Sequence, residues 1–181
     1  MADNIENKFW MVLPYEQVQD LPQLMLSPAA MKEERERRPR LLCDHSWDFG
    51  WPSINKVTKP HAPPEAMQFG HALDQVLYHV RHANPKCGPV RASKHDIKDG
   101  LYRLFLRAQD SLRLSIILPR CPGEPQLIGI PMACTVGWVQ LPPTFCTVSE
   151  TVCDLANDAM RAQGKAAKPH QRDTIPKALD D

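Results

Sequence analysis

The sequence predicts an α+β fold, an antiparallel sheet with helices packed on one face, and three stretches carry that prediction. Leu112 to Leu118 (LRLSIIL) is the clearest strand, β-branched at its centre. Gln126 to Ala133 reads as a second strand, and the turn-forming Pro119–Pro125 between the two makes a hairpin. Two amphipathic helices complete the pattern. Leu73, Val76, Leu77 and Val80 recur at i, i+3, i+4, i+7, and Val148, Val152, Leu155, Ala156 and Ala159 share a face later in the chain. Helix, strand, hairpin, helix in that order suits a sheet covered by helices.

Each element follows from its boundaries. Residues 1–31 carry scattered apolar positions interrupted by Pro14, Pro22 and Pro28, and no period holds. Lys32 to Arg40 is a charge run, the kind that usually forms a solvated helix face; Pro39 ends it, and Arg40 to Asp44 begins a short strand. Residues 47–64 are rich in turn formers. The first helix is predicted between Glu65 and Ala83, closed by Asn84-Pro85. A run from Val90 to His95 reaches Asp96, and Leu101 to Leu106 alternates partly as a strand. The second helix follows Pro142-Pro143. From Gln163 onward all periodicity is lost, so the organisation expected is an N-terminal extension (1–37), a central body (38–162) and a linker-like tail (163–181).

Composition bounds the function. A chain of 181 residues with 43% hydrophobic and 24% charged residues suits one domain with a real core. Lys plus Arg number 22 against 21 Asp plus Glu, a net charge of +1, which excludes nucleic-acid binding by bulk charge; any phosphate contact must come from local clusters. Eighteen prolines against 8 glycines argue for stiff connectors and against long uninterrupted helices. The six cysteines show no C-x-x-C spacing and the N-terminus has no signal region, so reduced thiols and an intracellular protein, cytoplasmic or nuclear, are expected. Pro125 to Ser149 lacks any charge but is broken by Gly129, Pro131, Gly137, Pro142 and Pro143. It reads as a buried or cleft-lining segment rather than a membrane span.

The common catalytic patterns are missing. Cys43-Asp44-His45 and the His79/His82 pair are the only dense metal-ligand candidates, and neither has the second pair that structural zinc needs. There is no G-x-S-x-G, no Walker loop and no G-x-G-x-x-G. What remains is Asp96-Ile97-Lys98-Asp99-Gly100-Leu101-Tyr102-Arg103, a carboxylate followed four residues later by a glycine. That order suits an aspartate that binds Mg²⁺ beside backbone amides offered to a triphosphate, and it equally suits a surface aspartate at a turn.

DIKDGLYRLFL resembles the first catalytic motif of retrotransposon reverse transcriptases, an aspartate followed by a glycine and an aromatic residue. Arg38 to Ser46 is similar to the fingers strand that carries a triphosphate-binding arginine, and Ser53-Ile54-Asn55 with PPEAMQFGHALDQVL to the loop and helix before the first motif. Pro131 to Phe145 resembles the second motif, a proline-to-glycine turn, a P-P-x-F sequence and a helix that lines the nucleotide site. The resemblance covers residues 38–160 and implies reverse-transcriptase-like fingers and palm. It implies that Asp96 binds catalytic Mg²⁺ with the Ile97 carbonyl nearby, that Asp99 and Gly100 offer amides to the phosphates, and that Arg40 neutralises the triphosphate. Gly137 and Trp138 then shape the floor beside the incoming base pair. The partners implied are an RNA or DNA template-primer and deoxynucleotide triphosphates, with no membrane.

Three departures qualify the roles. Leu101 stands where the family has an aromatic sugar gate, with Tyr102 one place late, and Val136 stands where methionine or glutamine is usual. The aromatic-x-Asp-Asp hairpin that carries the other metal ligands is missing, since Lys177-Ala178-Leu179 before Asp180-Asp181 supplies no aromatic. The expectation is therefore a fingers-and-palm fragment truncated before that hairpin, lacking downstream palm and thumb segments and inactive alone. The alternative is a degenerate or domesticated remnant acting as a nucleic-acid-binding or protein-interaction module.

Overall fold

The computed structural model describes residues 2–35, 37–48, 50–61, 70–91 and 96–165. The chain divides into two compact units, Met1–Ala62 with Lys98–Phe145 and Pro63–Ile97 with Cys146–Asp181.

The first unit is built on a five-stranded sheet of order β1-β5-β4-β2-β3, formed by β1 (Trp10–Pro14), β2 (Leu26–Glu34), β3 (Arg37–Cys43), β4 (Ser115–Ile117) and β5 (Leu127–Pro131). The predicted hairpin is there: Ile116 faces Gly129 and Ile117 faces Ile128 in an antiparallel pair. The sheet is mixed rather than antiparallel, because β2 runs parallel to β4, with Leu26 opposite Ser115 and Pro28 opposite Ile117. A parallel pair needs a long crossover, and here eighty residues separate the two strands. No local sequence signal reports such a pairing.

Strand alternation splits the apolar residues between the two faces of the sheet. On one face Trp10, Ile116 and Ala133 pack with Phe9, joined by Ala29, Leu41, Cys43 and Tyr102. On the other, Ile128 and Ile130 pack with Val18, joined by Leu13, Leu24, Leu26 and Leu112. Leu112 belongs to α4 (Ala108–Arg113), so the run read as one long strand is a short helix followed by three strand residues. Both faces are thus covered, where helices on one face were expected.

The charge run is the second correction. The described residues of the run pair as antiparallel strands, with Lys32 opposite Arg40 and Glu34 opposite Arg37, instead of forming a helix face. Pro39 stands on an edge strand, next to a register irregularity and with no residue registered opposite it, the kind of place where a strand accepts proline. Leu101 to Leu106 is likewise not a strand. Gly100–Arg103 is a 3₁₀ turn, and the only pairing nearby is a bridge from Phe105 to Ala133. The uncharged stretch 125–149 is buried in part: Ile128, Ile130, Ala133, Cys134, Thr135 and Leu141 lie inside, while Leu127, Met132, Val136 and Val148 are exposed.

The second unit contains α3 (Ala72–Arg81) and most of α5 (Leu141–Ala162). At 22 residues α5 is longer than the proline content allowed for. Its prolines, Pro142 and Pro143, stand in the first turn, where the amides have no intrahelical acceptor and proline costs nothing. Both predicted helices exist, but their apolar stripes face water. Leu73 is 70% exposed and Val76 and Leu77 58%, while Leu155 on α5 is 65% exposed. Helical period creates a stripe; burial needs a surface opposite it, and none of the described residues supplies one. His79 on α3 and His82 just after its end are exposed, as surface histidines, with His82 Nδ1 2.8 Å from the Tyr78 carbonyl.

Candidate functional site

Three segments, two of them neighbours in sequence and the third some eighty residues further on, meet at the end of β3 in the first unit. They are Cys43 to Ser46, the turn leading into α2 (Ile54–Thr58), and the loop Thr135–Gln140 that precedes α5. Ser53 caps α2, its hydroxyl accepting the Lys56 N–H at 3.3 Å, so the helix starts at a defined place. That start puts Asn55 where its side chain reaches both neighbours. Asn55 Nδ2 donates to Ser46 Oγ at 2.9 Å and to the Gly137 carbonyl at 2.8 Å, and its Oδ1 accepts the Val139 N–H at 2.8 Å. Its own backbone N–H donates to the His45 carbonyl at 3.0 Å. One amide side chain therefore holds three loops in register.

The loop has further anchors. Trp138 Nε1 donates to Thr58 Oγ1 at 3.3 Å and Gln140 Nε2 to the Thr58 carbonyl at 2.5 Å. Gly137 has φ +104° and lies against β3 so closely that a Cβ would overlap the Cys43 carbonyl oxygen. Glycine is required there on both counts, backbone conformation and space. Below the loop, His45 is 1% exposed and lies between two hydroxyls, Nδ1 3.0 Å from Ser27 Oγ and Nε2 3.0 Å from Thr135 Oγ1. A hydroxyl donates or accepts as needed, so either neutral tautomer is satisfied. Burial holds the imidazole pKa down to about 4, against a smaller opposing pull from Asp44. The ring is neutral at physiological pH. Burial also pushes the Cys43 thiol up to about 12 and raises Cys134, so neither is a nucleophile. All six cysteines are free thiols.

The residues singled out from sequence distribute unevenly. Gly137 and half-buried Trp138 sit in the anchored loop, and Val136 beside them is 54% exposed. Arg40 lies on β3, three residues from the Cys43 that Gly137 touches, and alternates with Leu41 and Cys43, so it points away from the cluster they join. Asp99 takes a left-handed conformation, φ +54°, leading into the 3₁₀ turn of Gly100 and Leu101. Tyr102 is committed to the core: its ring stacks on Phe9 at 5.0 Å, and burial raises its pKa. Asp96 and Ile97 fall in the second unit, exposed and outside any strand. The run before it (92–95) and Asp180-Asp181 lie outside the described residues.

His45, Thr135, Asn55 and Gln140 were not identified as site residues from sequence. A buried histidine between hydroxyls leaves no local pattern. Only the polar residues in an otherwise uncharged apolar segment, Thr135 and Gln140, hinted at partners. Among the described residues no three His, Cys, Asp or Glu side chains group to hold a metal ion, and no helix is long and apolar enough to cross a membrane. No protein-family model matches the chain, and no curated protein matches it.

Proposed function

We propose that the chain is a fingers-and-palm piece of a retroelement-type RNA-directed DNA polymerase, which binds deoxynucleotide and template and does not extend a primer alone. The observation that carries this reading is the meeting of the β3 end, the Ser53-Ile54-Asn55 turn and the Thr135–Gln140 loop. The resemblance names these three segments separately, up to ninety residues apart, and in the first unit they are bound to one another by Asn55, Gln140 and the tight contact at Gly137. A rigid loop with a glycine and an indole at its centre is a suitable floor for a flat base pair.

In this reading Arg40 meets the triphosphate, since a guanidinium fork matches phosphate oxygens. The Asp99 and Gly100 amides lie beside the phosphates, and Leu101 lines the sugar position with a smaller side chain than the usual aromatic. Asp96 and the Ile97 carbonyl are hard oxygen donors of the kind Mg²⁺ takes, but too few to hold an ion tightly, so magnesium arrives with the nucleotide. When bound, the ion would stabilise charge on the phosphate oxygens during attack by a primer 3′-hydroxyl. Efficient transfer needs several carboxylates converging on two ions, and Asp96 is the one candidate the resemblance assigns.

The test is calorimetry of Mg-dTTP binding. Wild type should bind, Arg40→Ala should weaken it about tenfold, and Asp96→Asn should reduce its dependence on Mg²⁺. Binding indifferent to both substitutions would refute the reading. Primer extension by the chain itself would refute the claim that it only binds. A second reading, a remnant that serves as a protein-interaction module, is favoured by the exposed apolar stripes of α3 and α5. It is the better account if neither nucleotide nor oligonucleotide binds.

A further inference from the structure

α5 is turned the opposite way to an ordinary surface helix. Beyond Phe145 its half-buried side chains are Cys146, Ser149, Glu150, Asn157 and Met160. Val148, Val152 and Leu155 are 40%, 60% and 65% exposed, and Ala159 and Ala162 are exposed as well. At about 100° per residue the two groups lie about half a turn apart. An amphipathic helix in a lone domain does the reverse, apolar side in and polar side out. The exposed stripe also has its own period. Phe145, Val148, Val152, Leu155, Ala159 and Ala162 are spaced 3, 4, 3, 4 and 3 residues apart. That is the a/d alternation of a heptad repeat. All six stand on one continuous helix, Leu141–Ala162, so their alignment depends on no other part of the fold.

We propose that this stripe is a self-association seam, on which α5 of a second copy of the chain packs to form a short two-stranded coiled coil. Val152 at a and Leu155 at d, the central layers, follow the combination that favours two strands. The seam is the same on both copies and carries no charge at any a, d or e position. Asp158, the one charged residue flanking it, is paired with Arg161 of its own helix at 2.8 Å. A second copy therefore meets no like charge, whereas a charged partner finds no counter-charge. Helices that lie on lipid lean on Lys and Arg of their polar face. Arg161 is the one cation of α5 and is already paired, and self-pairing needs none. The seam is about 26 Å long and about 10 Å wide, on the order of 300 Å² per copy. A stable complex takes about 800 Å² per partner. Because α5 is formed within the chain, pairing does not repay helix nucleation, as it would for a peptide of this length. The dimer is weak and exchanging, with Kd on the order of 100 μM. It goes beyond the polymerase reading and uses none of the residues assigned to the nucleotide.

The experiment is sedimentation velocity of the full chain from about 5 to about 500 μM, which spans that constant, with circular dichroism as the folding control. The mean mass should rise from the 20.5 kDa of the monomer toward twice that value. Leu155→Glu should weaken association by more than about tenfold, while Leu155→Met retains most of it. Position 155 is exposed, so both variants should fold. Ala159→Leu enlarges the last a position and should tighten the dimer about tenfold, a gain that loss of folding cannot imitate. Leu73→Glu removes a comparably exposed leucine from α3 and should leave association unchanged. A wild-type mass that stays at the monomer value overturns the seam, as does association undiminished in Leu155→Glu. Equal loss in Leu73→Glu overturns it too, because contact through apolar surface in general would then be enough. Leu155-dependent sedimentation with phosphatidylserine vesicles by a chain that stays monomeric overturns it in favour of a membrane.

Discussion

Replacing Gly137 by alanine probes the candidate site at its tightest point. Two costs are expected. At φ +104° an L-residue is strained by about 1–2 kcal/mol. The added methyl also overlaps the Cys43 carbonyl oxygen, a backbone atom of a sheet strand, so the loop must move instead. Movement breaks the bonds that Asn55 makes to the Gly137 carbonyl and the Val139 N–H, and disturbs that of His45 to Thr135, at about 1 kcal/mol each. The sum is about 3–5 kcal/mol. Gly123→Ala is the control, because Gly123 has φ +87° with open space around it and should show the backbone strain alone, about 1–2 kcal/mol. Urea unfolding followed by tryptophan fluorescence suits the test, since Trp10, Trp47, Trp51 and Trp138 all lie in the first unit. With a slope of about 2 kcal/mol/M, the Gly137→Ala midpoint should fall about 1–1.5 M below that of Gly123→Ala. Midpoints within about 0.2 M of each other would refute the close-contact argument.

Asn55→Ala should destabilise the first unit by about 2–3 kcal/mol and raise the hydrogen-exchange rate of the Val139 amide, which loses its acceptor; an unchanged rate would mean that Asn55 is not the clamp. Stability should also fall with acid before the carboxylates titrate. His45 is neutral in the folded chain down to about pH 4 but takes a proton below about 6.5 when unfolded, so the unfolded state binds more protons in that window. Stability is full above pH 6.5, declines by up to about 3 kcal/mol toward pH 4, and a His45→Asn variant should flatten that part of the profile. In native chain at pH 8, iodoacetamide should modify exposed Cys87, Cys121 and Cys153 well before Cys43 and Cys134, as mass spectrometry of digests would show; early labelling of Cys43 would contradict its burial.

Residues 112–133 and 141–162 show what local sequence carries. The hairpin was legible because β-branched residues flank a proline-rich turn, and α5 because its apolar positions recur every three to four residues, both properties of neighbouring residues. The same rules misplace the start of β4, because Leu112 and Leu114 fit a strand and the last turn of a helix equally well. The charge run Lys32–Arg40 failed for a different reason. Its helix-like composition is overridden by antiparallel pairing with a partner strand that gives no local sign of its register.

The sequence by itself determined that this chain has a hydrophobic core, two amphipathic helices, a β4–β5 hairpin and a partly buried uncharged segment, because each follows from composition or short-range period. Only the tertiary structure decided that β2 lies parallel to β4, that both sheet faces are covered, and that the stripes of α3 and α5 face water. It also decided the site. His45 meets Thr135 and Asn55 meets Gly137 across 90 and 82 residues, and contacts at that separation leave no period or spacing to read. Their physical basis is the requirement that buried polar groups find partners wherever the fold delivers them.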